Sequence, residues 1–183
     1  MSKVPQLRRI VVGVDGSAES VAALMWACRE AAMRAADVHA VLAVEAACHR
    51  VASYAGPRPV EPQASWGAAR DVLRQAVKHA AACYPGISVG AEVAEGLAAR
   101  VLLDRSAGAD MLVLGRTFHG TEHHRGAGPV IRACLRTAAC PVVVIGLAEA
   151  LAQPSGALPG DPGAAHVPQA WQRVLAESGS ALC

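Results

Sequence analysis

Aromatic side chains are almost missing from this chain: Trp, Tyr and Phe make up 3% of its 183 residues. A buried core must therefore be assembled from Ala, Val, Leu and Ile, and the stacked aromatic platforms that hold single-stranded nucleic acid have no raw material. Charge is also scarce. Charged residues are 17% of the chain and the formal net charge is +2, too small an imbalance for a nucleic-acid footprint. No apolar run reaches the roughly 18 residues that a membrane-spanning helix needs. The opening segment, Met1 to Arg9, is too short and polar to read as a signal peptide. The six cysteines (Cys28, Cys48, Cys83, Cys134, Cys140 and Cys183) include no C-x-x-C pair, so neither a zinc site nor a disulfide framework is expected. They read as small hydrophobes in a reducing compartment. The expectation is a cytoplasmic protein with no membrane and no nucleic-acid partner.

Hydrophobic residues, by contrast, make up 53% of the chain. Small apolar side chains let helices lie close to a sheet, which suits a layered α/β domain. Residues 10–14 (IVVGV) form a β-branched run without alternation, the pattern of a strand buried on both faces. Asp15-Gly16-Ser17 breaks it, with Ser17 as N-cap and Glu19 in the first turn of a helix over 18–34. A second strand is predicted over 38–44. Residues 45–64 hold Gly56, Pro57, Pro59 and Pro62 and read as a long surface loop, either a lid or a disordered insertion. A helix over 65–84 ends at Pro85-Gly86, followed by an edge strand over 87–94 and a short helix over 98–107. Residues 111–114 form another buried strand, then a loop rich in Gly and His. Pro129 opens a helix over 129–137, and 141–145 is the last strand.

The order βαβαβαβαβ with right-handed crossovers gives an open parallel sheet covered by helices on both faces. The domain is expected to span 1–146. Beyond it, 147–183 reads as an Ala/Gly/Pro-rich flexible tail with a possible short helix over 169–176. Ligands of such sheets bind at the carboxyl ends of strands where the winding reverses. Two segments fall there: Asp15-Gly16-Ser17, and the stretch from Gly115 to Gly128 that leads into a helix N-terminus, a natural anion site. Neither G-x-G-x-x-G nor G-x-x-x-x-G-K-[ST] occurs.

Three stretches carry a resemblance: IVVGVDGSAES (10–20), ADMLVLGR (109–116) and ACPVVVI (139–145). In this order and spacing the chain resembles a universal stress protein over residues 9–145. The resemblance implies five strands in the order 3-2-1-4-5 and a homodimer through the last strand (Val142, Val143, Val144 and Ile145). It also implies two classes of member, one of which binds ATP through G-x2-G-x9-G-[ST]. Here Gly115 and Gly128 match the first and third glycines, but Phe118 replaces the second and Pro129 replaces the Ser or Thr. The resemblance further places Asp15 on the ribose or adenine side and Val44 beside the adenine. Arg116, His119, His123, His124 and Arg125 crowd the same loop. They are read either as solvated loop residues or as substitutes for missing phosphate contacts, and no metal centre is expected of the histidines. Asp15 serves equally well as a helix cap or as a ligand contact.

The candidate nucleotide-binding set is therefore Asp15, Val44, Gly115, Arg116, Gly128 and Pro129, with ATP and magnesium as the implied ligand and no catalytic residue. The leading reading is a non-catalytic, dimeric stress-response scaffold with a degenerate nucleotide site and an unidentified protein partner. The alternatives are a functional ATP binder with slow or no hydrolysis, and a nucleotidyl-transfer enzyme on a similar fold.

Overall fold

The computed structural model describes residues 8–45, 62–116 and 127–146. Its elements follow the predicted order: β1 (Arg9–Gly13), α1 (Ala18–Arg34), β2 (Asp37–Val44), α2 (Pro62–Cys83), β3 (Val89–Glu95), α3 (Ala98–Ser106), β4 (Met111–Gly115), α4 (Pro129–Thr137) and β5 (Val142–Ile145). All strand pairings are parallel, and the five strands lie in the order β3-β2-β1-β4-β5. Among the described residues, no helix is long and apolar enough to cross a membrane.

The unbroken apolar runs have the physical cause inferred for them. Ile10, Val11 and Val12 of β1, and Leu112 and Val113 of β4, have no exposed surface, because helices cover both sides of the central strands. Alternate side chains enter different layers. Ile10, Val12, Val38, Ala40 and Val113 pack under α1 and α2 with Leu24, Cys28, Leu73, Ala76 and Ala80. Val11, Val41, Leu112 and Leu114 pack under α3 and α4 with Leu102, Ile131 and Cys134. Trp26 and Trp66 lie against the first layer only partly buried, so the deepest positions are filled by aliphatic side chains and cysteine.

One boundary departs from the sequence reading. Pro62, expected to lie in the loop over 45–64, is the first residue of α2. A proline is tolerated there because an amide in the first turn has no intrahelical acceptor to lose. The rest of that loop lies outside the described residues, as do the glycine- and histidine-rich segment over 117–126 and the tail over 147–183. The third strand starts two residues later than expected and sits at the sheet edge, as its alternation implied. Gly96 turns the chain at its end with φ +137°, and its N–H donates to the Val44 carbonyl at 3.0 Å.

Candidate functional site

β1 and β4 are neighbours in the sheet, but the chain leaves them toward opposite faces. From β1 it enters α1, in the first layer, and β4 is followed in the described chain by α4, in the second. That divergence opens a crevice at the strand carboxyl ends. A cleft of about 500 Å³ lies there, lined by Gly13, Val14 and Asp15 from the end of β1, Ser20 of α1, and Val41 and Ala43 of β2. Ala98 and Leu102 of α3, Leu114 and Gly115 of β4, and residues 127–132 at the start of α4 complete the wall. This volume is in the range of small-ligand sites.

The α1 side of the cleft is held by its own hydrogen bonds. Ser17 caps α1, its hydroxyl accepting the Ser20 N–H at 3.1 Å. The Asp15 carboxylate accepts the Ser17 N–H at 2.9 Å and the Ser17 hydroxyl through the same oxygen, Oδ1. The buried Ser20 hydroxyl donates to the Ser17 carbonyl at 2.9 Å and accepts from the Asp15 N–H at 3.3 Å. Asp15 is thus an anchored, exposed carboxylate, and no described residue is recorded as donating to its Oδ2. The turn requires Gly16, which has φ +87° and whose added Cβ would lie 2.9 Å from Val72.

The α4 side differs. Its N-cap is Gly128, with no side-chain cap bond, and Pro129 occupies the first turn. The Arg132 N–H donates to the Gly128 carbonyl at 2.9 Å. The two motif glycines do different work. A Cβ on Gly115 would fall 2.4 to 2.5 Å from the backbone of Glu19 and Ser20, so this glycine lets β4 end directly against α1. A Cβ on Gly128 would meet no described residue within 4 Å.

Asp15, Gly115, Gly128 and Pro129 therefore share one cleft. Val44 and Arg116 are not among its lining residues. Val44 is buried in the first layer, while its neighbour Ala43 reaches the cleft from the opposite face of β2. Arg116 continues the ladder at the end of β4, its N–H donating to the Ile145 carbonyl at 2.8 Å. The sequence reading missed Ala43, Ala98, Leu102 and Arg132. Strand alternation could have found Ala43, because Val41 and Ala43 share a face. Phe118, His119, His123, His124 and Arg125 lie outside the described residues.

A second depression, about 590 Å³, lies between α2 and β3. Of its charged groups, Arg74 pairs with Asp71 at 2.6 Å, Glu92 pairs with Arg105 at 2.6 Å and with His39 at 3.2 Å, and Arg70 lies over the Trp66 ring. The Arg105 hydrogen bonds hold the Glu92 carboxyl below the usual glutamate range. This depression shares no lining residue with the crevice and lies away from the carboxyl ends of β1 and β4.

Known proteins agree with this architecture. A universal stress protein of Mycobacterium tuberculosis is 33% identical over 153 residues, covering 79% of this chain and 50% of the relative. One from Mycolicibacterium smegmatis is 34% identical over 145 residues, covering 74% and 47%. The chain thus spans about half the length of the curated relatives it matches. Among solved structures, universal stress protein UspA from Lactobacillus plantarum superposes with a TM-score of 0.61 at 24% identity, covering 78% of this chain and 99% of that one. A universal stress protein from Archaeoglobus fulgidus does so with a TM-score of 0.59 at 22% identity, covering 75% and 93%. The family model described as "Universal stress protein family" matches residues 6–146, and with the strand order and both helical layers in place, this chain belongs to that family.

Proposed function

We propose that this chain is a non-catalytic, dimeric regulatory member of its family whose crevice takes an adenine nucleotide with modest affinity. The observation that carries the reading is the convergence of the anchored Asp15 carboxylate and the N-terminal turn of α4 on one cleft of about 500 Å³. A carboxylate suits ribose hydroxyls or an adenine amino group, and a helix start suits phosphate. Val41, Ala43 and Leu102 offer the apolar wall that a base needs. In the same fold, one universal stress protein structure is a complex with cAMP and one from Archaeoglobus fulgidus is a complex with dAMP.

Two features support the qualifiers. Pro129 removes a first-turn amide and the hydroxyl of the motif residue it replaces. Each lost bond to a charged phosphate weakens binding by about tenfold to a hundredfold. Among the described lining residues Asp15 is the only acid and there is no His, Cys or Lys, so no nucleophile–base pair can be assembled from those residues. Dimerisation is proposed at β5. It pairs only with β4 among the described strands and carries the half-buried Val142, Val143 and Val144. An apolar edge left unpaired is a template for a second copy.

Isothermal titration of the full chain with ATP and magnesium tests the nucleotide reading. Heat showing a dissociation constant weaker than about 100 μM fits a degenerate site, tighter binding favours a functional ATP binder, and no heat at about 10 mM sinks it. Pro129→Ser should tighten the affinity. For the dimer, the carbonyls of Pro141 and Ile145 face β4, so strand alternation turns the Val142 N–H outward. Val142→Pro should then yield monomer by sedimentation, and a wild-type chain that is already monomeric at high concentration removes the proposal.

A further inference from the structure

We propose that the groove between α2 and β3 is a docking site for an acidic, extended segment of a partner protein, which adds as a strand at the β3 edge while its carboxylates meet a row of cations on α2. This site is separate from the crevice and independent of the nucleotide reading above.

β3 is the outermost strand on its side of the sheet and is hydrogen-bonded to β2. Those bonds fix which of its backbone groups turn away. The Ser88 carbonyl accepts from the Val38 N–H at 2.9 Å, and the Gly96 N–H donates to the Val44 carbonyl at 3.0 Å. The even-numbered residues between them therefore point their amides and carbonyls at β2, and alternation turns those of Val89, Ala91, Val93 and Glu95 outward. Ala91 and Val93 line the depression of about 590 Å³. The groove thus offers a partner both backbone groups to pair with and an apolar floor, the two requirements of strand addition.

The other wall supplies charge. Arg70, Arg74 and Lys78 recur every four residues along one stripe of α2, and all three are exposed and line the depression. Four residues of helix rise about 6 Å, and two residues of strand rise about 6.6 Å. Acidic side chains at alternate positions of an added strand therefore keep step with this row. Asp71, the single acid of α2, pairs with Arg74, but the two side chains are 64% and 71% exposed, so a partner carboxylate exchanges for it readily. Arg70 lies 5.9 Å from the centre of the Trp66 ring, a contact that holds the side chain in place and still leaves N–H donors for an oxygen acceptor.

The same charges choose between partners. A second copy of this chain brings its own Arg70, Arg74 and Lys78 to the junction, and like charges there oppose pairing of the two edges. An acidic segment gains from them instead. Glu92, the acid among the described lining residues, is held by Arg105 of α3 at 2.6 Å and by His39 at 3.2 Å, on the face of the sheet away from α2, so it does not cancel the row. Glu95, at the carboxyl end of β3, is outside the lining.

NMR of the full isotope-labelled chain, titrated with a peptide of alternating Glu and Thr about nine residues long, tests this. The Ala91 and Val93 amide signals should move, with a dissociation constant between about 10 μM and 1 mM that weakens with salt. Joint Arg70→Gln, Arg74→Gln and Lys78→Gln substitution should weaken binding by about tenfold, and because these side chains are exposed, unchanged thermal unfolding checks the fold. Ala91→Pro removes an outward N–H without touching the β2 ladder and should abolish the Val93 shift. A peptide of the same composition with its glutamates contiguous should bind less tightly. No binding at about 1 mM peptide, indifference to the glutamine substitutions, equal affinity of the two peptides, or shifts confined to α2 overturns the proposal. So does protection of the Ala91 and Val93 amides from hydrogen exchange in the free protein, which would show the edge already covered by this chain or a second copy. An oligonucleotide of equal charge that moves the same signals as strongly would make the groove a general anion surface and overturns it too. None of these outcomes bears on the nucleotide reading.

Discussion

At the start of α1, Ser17 caps the Ser20 amide and Asp15 accepts from Ser17, whereas at the start of α4 the N-cap is Gly128, which has no side chain to offer. The motif glycines repeat the contrast. The space beside Gly115 is filled by the backbone of α1, and no described residue fills the space beside Gly128. One wall of the crevice is thus a packed, self-satisfied frame that holds Asp15 in place without help. The other leaves donors and room that no described residue fills. A shared glycine motif conceals this difference, because glycine serves both close packing and ligand approach.

The contrast can be broken most directly at Gly115. Gly115→Ala must push β4 and α1 apart, and a destabilisation of about 3 kcal/mol is expected in urea unfolding. A loss under about 0.5 kcal/mol would show that the contact relaxes freely. Ser17→Ala removes the cap of α1 and the hydroxyl that braces Asp15, and should lower stability by about 1 kcal/mol. It should also weaken nucleotide binding if Asp15 takes part. Gly128→Ala is the matching test on the open wall. Stability should change by no more than about 0.5 kcal/mol, while calorimetry shows reduced nucleotide affinity. A large loss of stability there would erase the distinction between the two glycines.

The smallest effect lies away from both walls, where Glu92 links β3 to α3. Hydrogen bonds from Arg105 are the main cause of its lowered carboxyl pKa. A carboxyl depressed in the folded state contributes stability that is present above its ordinary value of 4.5 and is lost as pH falls through the lowered one. Glu92→Gln should therefore flatten the acid limb of the stability profile below about pH 4.5 without changing nucleotide affinity. The pair is partly solvent-exposed, so the change is a modest one. An unaltered acid limb would assign that limb to other carboxylates.

Much of the fold can be read from local pattern. Val142, Val143 and Val144 announce a strand, Ser17 announces a helix start, and the unbroken runs at β1 and β4 announce burial on both faces. Gly115, Gly128 and Asp15 could be named because they are small motifs at strand ends. Arg132 could not, since an arginine on a short exposed helix resembles Arg136 one turn later, and only the lining of the cleft tells them apart. Val44 shows the same limit: one step along β2 reverses the face, so choosing between Val44 and Ala43 requires the register of the strand in its sheet.

What the amino-acid sequence determined by itself is the alternation of strands and helices, the aliphatic character of the core and the glycine-marked turns, since these depend on residues a few positions apart. Only the tertiary structure decided that Gly115 serves the contact with α1, that Gly128 meets no described residue and that Arg132 and Asp15 line one crevice. Those facts depend on the packing of segments roughly a hundred residues apart in the chain, where the backbone of one element sets the room left for the side chains of another.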